Sequence, residues 1–329
     1  MKNNQFLKQA IMYALALSGV FLMTGWALAQ ATWPSKPVTM VVPFAPGGAG
    51  NGSLRILSEI MSPQLGQPIL VDNRPGANGI IGAETMIRAP ADGYTILLAD
   101  APHTINSLVY SKQQYDAIKD FTPLNLVATS PQALLAHPKF SANTFKALLA
   151  MPRAQTEKLA MGSSGLASGP HLVYEWLRLK TGLNLNHVPY KGGAPASTDL
   201  MAGHLSMMFE MGYAALPAIK GQKIRPLAVT STKRLALLPE VPTMVELGIP
   251  NFESYNWQGI IAPGGTPAAI ISKLNAVLNE ILLDPEVVKQ ISDAASQVGG
   301  GTPEAFAQFI ASETAKWAKV IKLANIQPQ

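Results

Sequence analysis

Two rhythms of apolar residues alternate along this chain: short continuous runs, and longer segments with an apolar residue every three or four positions. The runs Val38 to Val42, Ile69 to Asp72 and Tyr94 to Ala99 predict strands, with helices over Leu54 to Leu65 and Gly82 to Ala89 between them. Further on, strands are predicted at Asn125 to Thr129, Ala133 to Ala136 and Leu159 to Gly162, and helices near Thr144 to Met151 and over Pro170 to Thr181. The plan repeats with strands at Asn186 to Val188, Ser206 to Phe209 and Ile224 to Val229, alternating with helices at Pro195 to Ala202 and Tyr213 to Lys220. The C-terminal part is helical over Ala268 to Leu282, Pro285 to Ala295 and Pro303 to Leu323, its regular apolar positions reading as core packing with Trp317 as an anchor. Strand-helix alternation of this kind predicts an α/β fold on a parallel sheet.

No long linker divides the chain, so a second domain has to be inserted into the first through two crossings. The extended stretches Leu126 to His137 and Phe252 to Ile261 are the candidates. The expected partition is 30–128 with 254–329 as one discontinuous lobe and 129–253 as the other. Paired crossings make a hinge, and a hinge between two lobes makes a ligand cleft.

The first thirty residues stand apart. Lys2 and Lys8 precede an apolar run from Ala10 to about Trp26, closed by Ala27-Leu28-Ala29. This is the layout of a secretory signal peptide over 1–29, cleaved near Ala29. The alternative is a membrane anchor, for which the run is short. Export to the periplasm is therefore expected. The net charge is +5, or +3 once Lys2 and Lys8 are removed, and the remaining basic residues are scattered, so nucleic acid is not an expected partner. Cysteine is absent, which excludes disulfides and thiolate metal sites. An exported chain of this kind must be held by its core alone.

Three glycine-rich turns stand between a predicted strand and a predicted helix. The first, Val41-Val42-Pro43-Phe44-Ala45-Pro46-Gly47-Gly48-Ala49-Gly50-Asn51, lets backbone N–H groups approach an anion at a helix start. It lacks the Gly-Lys-Ser/Thr of a phosphate loop and the spacing of a dinucleotide fingerprint, and an ordinary strand-to-helix turn is the plain alternative. The second, Gly162-Ser163-Ser164-Gly165-Leu166-Ala167-Ser168-Gly169-Pro170-His171, adds hydroxyls; helix capping by Ser168 is its structural reading. The third, His187 to Pro195, offers Tyr190 as an apolar face with a hydroxyl, and Lys191 as either a ligand contact or a solvated surface charge. Three such turns at strand ends can converge on one cleft.

The histidines, at 103, 137, 171, 187 and 204, show no metal-binding spacing, and no serine has glycines at both −2 and +2, as a nucleophile elbow requires. No metal, no cofactor and no enzymatic activity are therefore expected; a periplasmic hydrolase or isomerase would need an acid, base or nucleophile motif that the chain lacks.

Trp33-Pro34-Ser35-Lys36-Pro37, the Pro46-Gly47-Gly48 turn, and Asp72-Asn73-Arg74-Pro75-Gly76-Ala77 followed by Gly79 and Ile81-Gly82-Ala83 resemble the Bug family, the extracytoplasmic receptors of tripartite tricarboxylate transporters. The resemblance runs on, in order, through Asp92-Gly93-Tyr94-Thr95, His103 to Asn106, Asp120-Phe121, Ser168 to Leu172, Val188 to Gly192, Leu227 to Ser231, Leu238 to Thr243 and Ala262 to Pro267. It implies a two-lobed periplasmic binding fold of the Venus-flytrap kind, type II-like, in which amides, hydroxyls and bridging water hold a ligand carboxylate between the lobes. Matching positions imply Phe44, Pro46, Gly47, Gly48, Asn51, Ala101 and His103 as ligand-binding residues of the first lobe. From the second come Ser163, Ser164, Gly165, Ala167, Ser168, His171, Tyr190, Lys191 and Glu210.

Three departures matter. Many relatives carry Asp at the position of Asn51, small neutral residues where this chain has Ala99-Asp100-Ala101-Pro102, and Phe-Asp where it has Phe209-Glu210. An ionised Asp100 or Glu210 facing the cleft disfavours a dianion. The expected ligand is then a compact acid with one carboxylate and a nitrogen, an amide or an aromatic ring, against the dicarboxylate that is the family default. The resemblance implies a transport receptor, expected as a monomer, that docks on the membrane subunits of a tripartite tricarboxylate transporter. A ligand sensor presenting its closed form to a sensor kinase is the alternative.

Overall fold

The computed structural model describes residues 33–45, 51–110 and 113–327; for 51–56 and Tyr213 it describes the backbone alone. The expected signal peptide lies outside the described residues. The strands and helices below all belong to the unit Pro37–Gln329.

The strands are β1 (Val38–Val42), β2 (Ile69–Asn73), β3 (Thr95–Asp100), β4 (Phe121–Ala136), β5 (Ala160–Ser163), β6 (Asn186–Pro189), β7 (Met207–Met211), β8 (Arg225–Val229), β9 (Tyr255–Pro263) and β10 (Gln297–Val298). The α-helices are α1 (Asn51–Leu65), α2 (Ile80–Ile87), α3 (Ala101–Val109), α4 (Phe145–Leu149), α5 (Arg153–Thr156), α6 (Gly169–Thr181), α7 (Gly193–Ala202), α8 (Gly212–Lys220), α9 (Ala268–Leu282), α10 (Pro285–Asp293) and α11 (Pro303–Ala324).

The sheet runs β2-β1-β3-β9-β4-β7-β5-β6, with β10 and β8 also paired to β4. It is mixed rather than parallel, which corrects the expectation from the strand-helix alternation. β1 pairs in parallel with β2 and β3, and β5 with β6 and β7. β9 lies antiparallel between β3 and β4, and β4 lies antiparallel to β7 and β8. Two α/β halves, each with its own parallel strands, are thus joined through antiparallel strands.

β4 is the joint. Its residues up to Pro131 pair with β9, and from Gln132 onward it pairs with β7. The sequence reads as two strands here because Pro131 has no N–H to donate and interrupts the apolar run; the backbone continues through it. Past the switch the strand is buried on both faces. Leu134 and Ala136 enter one apolar cluster, while Ala133 and Leu135 enter the other, as the period of two requires.

The second crossing meets the first. Thr230 Oγ1 accepts from the Gln132 N–H at 2.9 Å and donates to the Ser254 carbonyl, while the Thr230 N–H donates to the Gln132 carbonyl at 2.9 Å and the Ser254 N–H to the Thr230 carbonyl at 3.1 Å. Thr230 is fully buried, so these bonds face no competition from water.

Helix ends follow local chemistry. α6 starts at Ser168, whose hydroxyl accepts from the His171 N–H, has Pro170 in its first turn, and stops at Gly182 with φ 73°. α11 starts at Thr302 and Pro303 and stops at Asn325 in the left-handed region. Phe306, Ile310, Trp317, Val320 and Ile321 bury one face of α11. Trp317, 2 % exposed, meets Trp176 of α6 edge to face at 6.0 Å, and Trp176 stacks on Phe252 at 4.4 Å. Each such aromatic contributes about 2–3 kcal/mol by burial.

Candidate functional site

The carboxyl ends of β1, β3, β5 and β7 open on one cavity of about 390 Å³. Phe44 and Ala45 reach it directly after β1, and Asp100, Ala101, Pro102 and Ile105 where β3 passes into α3. Ser164, Ala167, Ser168, Gly169 and Pro170 enter from the turn between β5 and α6, and Met211 from the end of β7. Gln132, Ser254, Tyr255, Asn256 and Gln258 of the joining strands line it further, with Trp317 and Asn78. A crevice beyond the carboxyl ends of parallel strands is where open α/β sheets take ligands.

Two helices start at the wall, α3 at Ala101 and α6 at Gly169. Pro102 and Pro170 carry no N–H, the His171 N–H is taken by the Ser168 hydroxyl and the His103 N–H by Asp100, so what the two helix starts can offer a ligand is the N–H of Ala101 and of Gly169, each with positive partial charge. The turn before α6 is tightly made: the Ser168 hydroxyl donates to the Gly165 carbonyl at 2.7 Å, and the Ala167 N–H donates to His171 Nδ1 at 2.9 Å. Ala167 is held at φ 55°, a left-handed backbone that non-glycine residues adopt at a cost. Asn78, also left-handed at φ 54°, is fixed by a reciprocal pair: its Nδ2 donates to Asn106 Oδ1 at 2.9 Å, and Asn106 Nδ2 donates to the Asn78 carbonyl at 2.8 Å.

Of the residues singled out in the sequence, Phe44, Ala101, Ser164, Ala167 and Ser168 line the cavity. Pro46, Gly47 and Gly48 lie outside the described residues, and Asn51 opens α1 with only its backbone described. The others stand behind the lining or away from it. Gly165, at φ 141°, accepts both serine hydroxyls on its carbonyl. Ser163, 1 % exposed, shares a 2.7 Å hydrogen bond with His187 Nε2, and His187 stacks on His171 at 3.9 Å. His103 turns into the core against Tyr115 and Phe121, with Nε2 3.0 Å from the Ala117 carbonyl. The Tyr190 hydroxyl donates to Asp199 at 2.6 Å, and Lys191 is exposed. Glu210 accepts the Met211 N–H at 2.9 Å and lies against Gly193, where any β-carbon would collide with its carboxylate.

Asp100 is the carboxylate of the wall. It is 7 % exposed, and burial lifts it to about 7, offset in part by the His103 N–H and its own. Burial also raises Glu210, though that side chain does not line the cavity. Among the described lining residues there is no Lys, Arg or His. Nor do three or more His, Asp or Glu side chains come together as a metal site among the described residues.

Sequence reasoning passed over Asn78, Gln132 and the β9 residues. Their signal was present in Tyr255, Asn256 and Gln258, polar positions at the mouth of an apolar strand that a solvent-facing connection does not explain.

Two α/β halves sharing their strands around a cavity at the strand ends define a periplasmic-type solute-binding fold. The chain belongs to the family described as tripartite tricarboxylate transporter family receptor, whose model matches residues 53–326. Among solved structures it is similar to the periplasmic binding protein BugD (34% identity, TM-score 0.75, covering 90% of this chain and 100% of that one). It is similar also to Rpa4515 of R. palustris with adipate (34% identity, TM-score 0.79, 90% and 100% covered). A third is MatC of Rhodopseudomonas palustris with bound malate (30% identity, TM-score 0.74, 88% and 100% covered).

Proposed function

We propose that this chain is the periplasmic receptor of a tripartite tricarboxylate transporter, capturing a small carboxylate in the cavity and delivering it to the membrane subunits. The observation that carries the reading is the wall itself, where the Ala101 and Gly169 N–H groups at the starts of α3 and α6 and the Ser164 hydroxyl can donate, with no lysine or arginine among the described lining residues. Such a wall suits a carboxylate. Adipate and malate, held by two structural relatives, are both small organic acids.

In this reading 1–29 is removed on export, 30–128 and 254–329 form one lobe, and 129–253 form the other. The lobes meet at Gln132, Thr230 and Ser254, where β4 changes partners and the second crossing is bonded to the first. Closure on the ligand is an equilibrium that the ligand shifts. The closed monomer, which turns over no substrate, is the form presented to the membrane partner.

Thermal unfolding of the purified protein against mono-, di- and tricarboxylates and amino acids tests this. A ligand of the folded state raises the midpoint, by about 2.7 kcal/mol of added stability at a hundredfold excess over Kd. A selective rise with one class of acid is the expected result. A rise with uncharged or cationic solutes, and none with acids, overturns the reading.

A further inference from the structure

An acid and an unpartnered amide oxygen stand among the polar groups of the cavity. Asp100 brings a carboxylate to the wall, and no cation lines the cavity to neutralise it among the described residues. The neighbouring titratable groups do not supply one: burial holds His103 down to about 4 and Tyr115 up to about 12, so both are neutral at pH 8. Gln132 Oε1 and Ser254 Oγ also belong to residues that line the cavity. Both atoms are buried and have no hydrogen-bond partner among the described residues. Gln132 is 3 % exposed and Ser254 0 %. A buried amide oxygen with no donor costs about 1–3 kcal/mol, so a ligand that donates to Gln132 Oε1 gains where a ligand with acceptors alone does not; the Ser254 hydroxyl donates as well as accepts and takes either.

A dicarboxylate offers only acceptors. One carboxylate can lie at the donors of the α6 turn, but the other then shares the cavity with Asp100, a like charge, and with the Gln132 carbonyl, with no cation among the described lining residues. Replacing that second carboxylate by a nitrogen reverses the sign of the contact. We propose that the cavity selects an acid carrying a nitrogen donor, an ammonium or a primary amide, which Asp100 accepts. Asp100 is then the residue that sets specificity, and the Gln132 carbonyl takes a further N–H. The inference rests on the carboxylate reading above and names the other end of the molecule.

Isothermal titration at pH 8 decides it, with succinate and adipate each set against its monoamide, and with 4-aminobutyrate and 6-aminohexanoate alongside. In at least one chain length the nitrogen-bearing acid is expected to bind tenfold or more tighter than the dicarboxylate. Asp100→Asn, which keeps the side-chain volume and an equally good residue for a helix start, is expected to bring that ratio within about threefold by improving the dicarboxylate. A wild-type preference for the dicarboxylates overturns the inference and leaves the carboxylate reading standing. A preference unchanged in Asp100→Asn overturns the role of Asp100. Failure of every acid in both series, with uncharged solutes binding instead, overturns the carboxylate reading itself. Should the variant not fold, as judged by circular dichroism, the wild-type ratios decide alone.

Discussion

At the scale of single residues, the protein keeps several ionisable side chains out of water without giving them a counter-charge. Asp100 is lifted to about 7, so the folded state binds a proton that the unfolded chain has released. Its contribution is present below about pH 3.8 and lost as pH rises through 7. Asp100→Asn is accordingly expected to raise Tm at pH 8, by the equivalent of about 1–3 kcal/mol, and to leave it within about a degree at pH 4. Thermal scans at the two pH values check this.

His171 and His187 work in the opposite direction: burial is the main cause that holds each down to about 4. Between pH 6.5 and 4 the unfolded chain binds more protons, so stability falls as the pH drops through that window. In the Asp100→Asn background, which removes the opposing titration, His187→Gln is expected to flatten this fall by roughly 1–2 kcal/mol. An unchanged slope in urea titrations at pH 6.5 and 4.5 would contradict it. None of this was legible in the sequence, where each histidine stood alone; stacking of residues sixteen positions apart depends on β6 lying beside β5.

At the scale of elements, the contacts that matter join segments distant in sequence. Thr230 holds β4 to the start of β9, and its hydroxyl accepts the N–H of Gln132. Thr230→Val keeps the shape and leaves a buried N–H without its acceptor, an expected loss of about 1–3 kcal/mol measurable by denaturant unfolding. Gly259 of β9 lies where a β-carbon would stand 2.1 Å from Phe306 of α11 and 2.9 Å from the Asn125 carbonyl. Gly259→Ala is expected to cost about 1–3 kcal/mol or more by overpacking, with Tm lowered by several degrees.

Element identity was largely legible. Strong periodicity marked α6, α9 and α11, with Ser168 and Pro170 at the start of α6, and short apolar runs marked β1 and β3. α3 was not, because Pro102, His103 and Thr104 at its start look like a turn until burial of Ile105 and Val109 fixes them as a helix face. β4 read as two strands for the reason Pro131 supplies.

At the scale of the whole molecule, sequence alternation revealed the α/β class but not strand direction. β9 enters the sheet between β3 and β4 as an antiparallel strand, and no local pattern records which neighbour a strand takes. Of the three glycine-rich turns, the second lines the cavity through Ser164, Ala167 and Ser168, the glycines of the first lie outside the described residues, and Tyr190 and Lys191 of the third stand away from it. The lining from β9 left only the faint signal of Tyr255, Asn256 and Gln258, and that from Gln132 of β4 none, since those side chains reach the cavity only once the two crossings come together.

The central claim is that a small carboxylate binds in the cavity between the α3 and α6 starts. Isothermal titration of the acid with the largest thermal shift, into the wild type and into Ser164→Phe, tests it most directly. Phe at 164 fills the wall from a half-exposed position, with folding checked by Tm. The account predicts one-to-one binding to the wild type and at least a hundredfold loss in the variant at unchanged Tm. Equal affinity in both proteins would contradict it.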